Sequence, residues 1–319
     1  MAETPLFADG SVTLRFLAAP TDVAFLNGNI QGGKVLEWID KAGFACAVGW
    51  SKQYCVTAYV GDVVFVRPIE VGHLVEVSAQ IVHTGRTSMH IRVVVRSADP
   101  KVGAFSQSTE CLMVFVSVGD GGRPAPVRAW EPATARALEL QQTALGRIEV
   151  RRHIEEAMSR QTYSDEGTAP KITLRFMANP TDVNWGGKAH GGYVMAWIDE
   201  AAYLVAARWS AGMATAVYSG GIRFYRPILI GHLVEVEARL LHTGRTSMHI
   251  SVHVRSGDPR DGVMSLTTHC LTVFVALDDV ARPRPIPSWE PVSAEDVRLE
   301  AHARELVALR EGRGPAADV

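Results

Sequence analysis

From Met248 to Arg255 apolar and polar residues take turns, with Met248, Ile250, Val252 and Val254 set against His249, Ser251, His253 and Arg255. Period-2 alternation predicts a strand with one face in a core and the other polar. On that polar side His90, His249 and His253 read as solvated strand residues. Extended stretches are predicted near 56–67, 73–84, 87–96 and 108–118, and again near 215–226, 232–243, 246–255 and 267–277. A different pattern holds at 32–50 (GGKVLEWIDKAGFACAVGW) and at 191–209 (GGYVMAWIDEAAYLVAARW). Both are apolar nearly all the way round, as expected of a helix enclosed by other structure. Short extended segments at 12–16 and 172–176 open each series, and a loop rich in Pro, Asp, Asn and Gly follows each. The order of strand, long apolar helix and four closely connected strands predicts an α+β fold, an antiparallel sheet wrapped around one helix.

The two series are one module written twice. HTGRTSMHI at 83–91 returns letter for letter at 242–250, an offset of 159 residues. Arg67-Pro68-Ile69 maps onto Arg226-Pro227-Ile228, and Trp130-Glu131-Pro132 onto Trp289-Glu290-Pro291, at the same offset. Near the front the register changes: Pro20-Thr21-Asp22 matches Pro180-Thr181-Asp182 at 160, so the first copy carries one extra residue before Gly32-Gly33. The domains are therefore placed at 1–160, with a C-terminal helix, and at 170–319, with a helix and a frayed tail; 161–169 reads as a linker. Thr134 and Ser293 are predicted N-caps of those helices. Leu138, Leu145 and Ile148 are expected to dock the first, and Leu299, Leu306 and Leu309 the second.

Composition narrows the functional classes. With 319 residues, 47% of them hydrophobic, the chain can bury two ordinary cores. Thirty-two basic against 34 acidic side chains leave a formal charge of −2 without a long basic block, so no nucleic-acid partner is expected. No apolar run approaches the ~20 residues of a membrane span, and 1–10 has no secretory pattern; a soluble, cytoplasmic protein is expected. Cys46, Cys55, Cys111 and Cys270 lack the spacing of zinc ligands. Cys111 and Cys270 share one position in the repeat, within predicted strands, and are expected to be buried packing residues. A phosphate-loop lysine and a dinucleotide glycine fingerprint are both absent from the sequence.

A buried apolar helix has no structural need of a carboxylate, yet Asp40 and Asp199 occupy the same place in both copies. Such a group is paired, hydrogen-bonded or functional. Eight residues upstream of each stands a glycine pair, Gly32-Gly33 or Gly191-Gly192, at the predicted helix N-terminus. Free amides and the positive end of the helix dipole can stabilise an oxyanion there. Together they describe an acyl-transfer site without a Ser or Cys nucleophile, in which a carboxylate activates water or attacks directly. Gly85-Arg86-Thr87-Ser88 and Gly244-Arg245-Thr246-Ser247 place a guanidinium, hydroxyls and amides at a strand-to-strand turn, a phosphate-contacting set.

Along nearly the whole of both copies the chain resembles the acyl-CoA hydrolases of the hotdog superfamily, in particular the tandem cytosolic type. The matching residues are NWGGKAHGG at 184–192, Asp199, Arg226-Pro227-Ile228 with Gly231, the 242–247 stretch, and Asp279 with Arg282-Pro283. The resemblance implies a tandem double hotdog that cleaves acyl-CoA to free acid and CoA, with no cofactor beyond the CoA of substrate and product. It also implies CoA binding at the two Gly-Arg-Thr-Ser turns and trimers of double units. Mapped onto this chain, a loop with Asn184, His190, Gly191 and Gly192 faces Asp40, and a loop with Asn27, Gln31, Gly32 and Gly33 faces Asp199. Seven residues before Gly191 stands Asn184, whereas seven before Gly32 stands Phe25, so the first-copy loop departs from the pattern. The expected working pair is Asn184 with Asp40: Asp40 as general base or nucleophile, Asn184 orienting water or substrate, and the amide of Gly192 or a neighbour polarising the carbonyl. Two other readings stay open, hydration of an enoyl thioester and non-catalytic acyl-CoA binding.

Overall fold

The structure, a computed structural model, describes residues 10–23, 28–184 and 186–310. The first copy contains β1 (Ser11–Leu17), α1 (Gly32–Ser51), β2 (Tyr54–Val60), β3 (Val63–Val64), β4 (Leu74–Thr84), β5 (Ser88–Ala98), β6 (Ser106–Val118) and α2 (Ala135–Ser159). The second contains β7 (Lys171–Met177), α3 (Gly191–Ser210), β8 (Ala214–Phe224), β9 (Leu233–Thr243), β10 (Ser247–Gly257), β11 (Ser265–Ala276) and α4 (Ala294–Arg310). Every strand pair is antiparallel, and one sheet runs β1-β4-β5-β6-β2-β8-β11-β10-β9-β7 with β3 beside β8. The copies join where Tyr59 lies opposite Arg223 and Val60 opposite Ile222. The fold is α+β, a tandem double hotdog, as the pattern and the resemblance predict.

The predicted strand at 56–67 is broken into β2 and β3, while its counterpart runs unbroken as β8. Gly221 in β8 takes φ +63°, a conformation open to glycine. The first copy has Asp62 at that place, and there the strand stops.

Both central helices bury their apolar surface in one core, with Leu36, Ile39, Met195, Ile198, Phe115 and Phe274 fully enclosed. They touch backbone to backbone. A Cβ on Gly33 would lie 2.8 Å from Ala196 Cα, and one on Gly192 2.9 Å from Glu37 Cα. The glycine pairs thus let the N-terminus of each helix abut the middle of the other. Both copies repeat the same supports: Phe16 stacks on Trp38 and Phe176 meets Trp197 edge-on, while Trp50 and Trp209 donate to the carbonyls of Arg128 and Pro287.

The polar strand face is not solvated. Helices α2 and α4 pack over it, and His90 and His253 are each only 5% exposed. Burial holds His90 down at about 4 and His249 at about 3. Leu299 and Leu306 dock α4 as expected, with Leu309 half-buried against the same cluster. Helix α2 departs from the expectation: Ala137, Ala144, Ile154, Ala157 and Met158 are buried, and Leu138 and Leu145 remain exposed. Thr134 accepts from the Ala137 amide at 3.1 Å, and Ser293 from that of Asp296 at 3.0 Å, so both caps form. Glu295 and Asp296 at the start of α4 fasten the connecting segment through the amides of Ser164 and Thr168. Among the described residues no helix is long and apolar enough to cross a membrane.

Because backbone stands where a Cβ would go, Gly33→Ala should cost about 1–3 kcal/mol by overpacking. Gly146→Ala, on α2 with nothing within 4 Å of the new carbon, should be stabilising by about 0.5–1 kcal/mol. Urea unfolding of both variants checks the contrast; equal stabilities would contradict the close helix contact.

Candidate active site

Asp40 lies in the middle of α1, 1% exposed, against the N-terminus of α3. Three donors hold its carboxylate. Gly192 N–H gives a 2.7 Å hydrogen bond to Oδ2, the Thr57 hydroxyl one of 2.7 Å to Oδ1, and His190 Nδ1 lies 2.6 Å from Oδ2. So short a contact between a ring nitrogen and a carboxylate oxygen places the proton on His190 Nδ1. Burial pulls the His190 pKa down, but its hydrogen bond to Asp40 and the charge of that carboxylate outweigh burial, and the net shift is upward. With two donors on Oδ2 and one on Oδ1, one lone-pair direction on Oδ1 stays open.

The glycine before this contact is dictated by the site. A Cβ on Gly191 would stand 3.0 Å from Thr57 Oγ1 and 3.1 and 3.2 Å from the Asp40 oxygens. As the first residue of α3, Gly191 also carries an amide that has no partner within the helix. The amide of Gly192, expected as a carbonyl-polarising donor, is committed to Asp40, so the neighbouring Gly191 amide is the available one. Asn184 builds its own loop: Oδ1 accepts from the amides of Gly186 at 2.9 Å and Lys188 at 3.2 Å. Its Nδ2 donates a long hydrogen bond, 3.5 Å, to the Ala189 carbonyl and has a second proton to donate.

These groups line one open cleft of about 270 Å³ between the copies. Phe44, Val56, Val194 and Phe224 supply apolar walls, and Lys188 and Arg226 bring positive charge. Phe44 also packs against the His190 ring, with centroids 5.7 Å apart.

The pseudo-equivalent arrangement around Asp199 is poorer. Gly33 N–H bonds Oδ2 at 2.9 Å, and the Gln31 side chain replaces His190 as a partner. Ala216 stands where the first copy has Thr57, its Cβ 3.3 Å from the Cβ position of Gly32. With fewer donors, burial dominates, and the Asp199 carboxyl is pushed up to about 6 despite the bonds from Gly33 and Gln31. Asn27, the expected partner of Asp199, lies outside the described residues.

The structure therefore brings Asp40, Asn184, His190, Gly191 and Gly192 together, and separately Asp199, Gln31, Gly32 and Gly33. It does not bring the two Gly-Arg-Thr-Ser turns into the cleft lining. Gly85 N–H bonds the Ser88 carbonyl and Gly244 N–H that of Ser247, both at 2.9 Å, closing tight hairpins with Arg86 and Arg245 exposed. The Thr87 carbonyl accepts from the amide of Ser117, the neighbour of the lining residue Val118, at 2.9 Å; that of Thr246 accepts from the Ala276 amide at 3.0 Å. Sequence pattern alone does not mark Thr57, Lys188 and Arg226 as site residues; the replacement of Thr57 by Ala216 between copies is a signal for the first. All four cysteines are buried, and burial raises the thiols of Cys55 and Cys111 to about 11 and 12, which removes them as nucleophiles.

The raised carboxyl has a sign that can be measured. Asp199 holds its proton more tightly folded than unfolded, so its burial costs nothing below about pH 4, where both states are protonated, and most above about pH 6. Asp199→Asn should therefore be stabilising by about 1–3 kcal/mol at pH 8, with the gain fading toward pH 4. Thermal unfolding at the two pH values tests this; a gain independent of pH would contradict it.

Comparison with known proteins agrees with this architecture. The profile of the Thioesterase superfamily matches residues 27–104 and again 186–263. The chain is 24% identical to the acetyl-coenzyme A thioesterase of Rattus norvegicus over 97% of its own length. It spans only 59% of that relative. To an uncharacterized acyl-CoA thioester hydrolase of Zymomonas mobilis it is 32% identical, over 41% of this chain and 91% of the other. Among solved structures, an acyl-CoA hydrolase from Bacillus cereus is 29% identical over 49% of this chain and 96% of that one, with a TM-score of 0.45. With its profile matched in both copies and a relative matched along nearly its whole length, the chain belongs to the thioesterase superfamily.

Proposed function

We propose that this protein hydrolyses acyl-CoA to free acid and CoA in the cleft around Asp40, with Asp40 as general base. The observation that carries the reading is the buried Asp40 carboxylate, held by three donors yet open at Oδ1, beside the amide of Gly191, which has no partner among the described residues. A thioester carbonyl docks its oxygen against Gly191 N–H and Asn184 Nδ2, at the positive end of α3. Asp40 takes a proton from water through Oδ1 as the water oxygen bonds to the carbonyl carbon. The tetrahedral intermediate then breaks its C–S bond, and the proton on Asp40 passes to the leaving thiolate. Thr57 and His190 fix the carboxylate, which assigns them positioning roles.

The walls of Phe44, Val56, Val194 and Phe224 suit the acyl chain. Lys188 and Arg226 suit the CoA phosphates. The exposed Arg86 of the first Gly-Arg-Thr-Ser turn, outside the cleft lining, is assigned a further contact to the CoA phosphates. This chemistry needs no further cofactor. The arrangement around Asp199, which has neither the hydroxyl nor the imidazole, is assigned a structural role. Exposed apolar residues at one position of the repeat, Leu17 and Met177, support assembly into the trimer of double units implied by the resemblance.

A second reading has one observation in its favour. The His190–Asp40 contact is the kind of pair that hydration of an enoyl thioester uses. Products separate the two: hydrolysis releases free thiol, and hydration removes enoyl absorbance without thiol.

Thiol release from acyl-CoAs of increasing chain length tests the proposal. Asp40→Ala should lower kcat by roughly 10²- to 10⁴-fold. Thr57→Ala should lower it by about tenfold, the loss of one hydrogen bond to a charged group, and Asp199→Ala should leave it nearly intact. Full activity in Asp40→Ala with loss in Asp199→Ala would move the site to the surroundings of Asp199. No release at any chain length would end the hydrolase reading.

A further inference from the structure

The two outer faces of the sheet are closed differently. In the second copy α4 lays Leu299 and Leu306 onto Leu241 and Leu271, and all four are at most 4% exposed. At the position of Leu306 the first copy has Arg147, exposed on α2, over the apolar strand residues Val82 and Leu112. A guanidinium cannot sink into such a surface without a counter-charge. Helix α2 leaves an open, shallow groove there, two adjoining hollows that share Leu112, Ala144 and Arg147.

The larger hollow has apolar walls of Leu112, Val114, Ile148 and Ile154. Its polar groups are the part that packing leaves unexplained. His90 is buried, and its Nδ1 has no partner among the described residues. No hydrogen bond or ion pair engages Arg147 among the described residues, whereas Arg151 lies over the Tyr59 ring at 5.2 Å, with Glu155 3.7 Å away. Asp62 is the acid of the lining, and its carboxylate already accepts from the Tyr218 hydroxyl. Asp62, Glu155 and, in the adjoining hollow, Glu110 are all engaged by other groups, which leaves the Arg147 guanidinium and the His90 imidazole to favour an anion, and the walls favour a short hydrocarbon tail.

We propose that this groove is a binding site for a small amphiphilic carboxylate, a medium-chain alkanoate. Its carboxylate pairs with Arg147 and Arg151 and takes a hydrogen bond from His90 Nδ1, and its chain lies along Leu112, Ile148 and Ile154. A planar guanidinium matches a carboxylate with two parallel hydrogen bonds, and the ligand satisfies a buried ring nitrogen that the fold leaves open. The groove is separate from the cleft. Thr57 on β2 reaches Asp40 on the helix side of the sheet, whereas Tyr59, beyond a slip in the ladder of β2, lines the groove on the other.

Sodium octanoate titrated into the full chain, labelled at isoleucine methyls, tests this site without any assay of activity. Saturable shifts of the Ile148 and Ile154 methyls are expected, with Kd below about 1 mM. Arg147→Leu, which installs the second-copy residue, should weaken binding at least tenfold with the melting temperature kept or raised. Octylamine should not reproduce the shifts. The proposal is overturned by unchanged binding in Arg147→Leu, by equal shifts with octylamine, by saturation that leaves both methyls unmoved, or by no saturable binding.

Discussion

Each central helix presents its first amides to a carboxylate from the middle of the other helix, and this reciprocal contact fixes the rest of the molecule. Gly192 N–H meets Asp40, and Gly33 N–H meets Asp199. Side chains at the two glycine pairs would hold the helices apart, so the contact exists only because no Cβ intervenes. It sets the distance between α1 and α3 and orients the two halves of the sheet, which meet at β2 and β8. It also places two charges where charges are most costly to bury, each against a helix N-terminus that offsets part of that cost.

From this near-symmetric frame the two copies diverge in a few side chains, and the divergence carries the chemistry. Around Asp40 a hydroxyl and an imidazole complete the carboxylate, in a cleft that also holds Asn184, Lys188 and Arg226. Around Asp199 an alanine and a glutamine stand instead, and the carboxyl is left with a raised pKa. One contact has been kept twice for the fold and furnished once for reaction. The same drift is visible on the outer face, where Arg147 and Leu306 decide whether a helix closes against its strands.

Much of this was legible in the sequence, and the physical reasons for the rest are specific. Alternation and all-round apolarity located the strands and the two central helices because those patterns report burial directly. The pairing of Asp with an upstream glycine pair pointed to the helix contact, since both features are expensive without a partner. Histidines on the outer face were misread as solvated, because period-2 alternation tells which face is polar and not what covers it; α2 and α4 do. The docking leucines of α2 were misplaced for a related reason: its alanines, not its leucines, meet the sheet. Thr57 lies on a different element from Asp40, and only folding brings them within 2.7 Å. The break between β2 and β3 turned on one backbone conformation, available to Gly221 and unfavourable at Asp62.

The central claim is that only one of the two buried carboxylates, Asp40, is furnished for a thioester. Isothermal titration of the wild-type chain with a non-hydrolysable acyl-CoA thioether tests it most directly, because it counts sites without requiring turnover. The account predicts one ligand bound per chain. Two equivalent sites per chain would contradict it, since the surroundings of Asp199 would then serve as well as the cleft around Asp40.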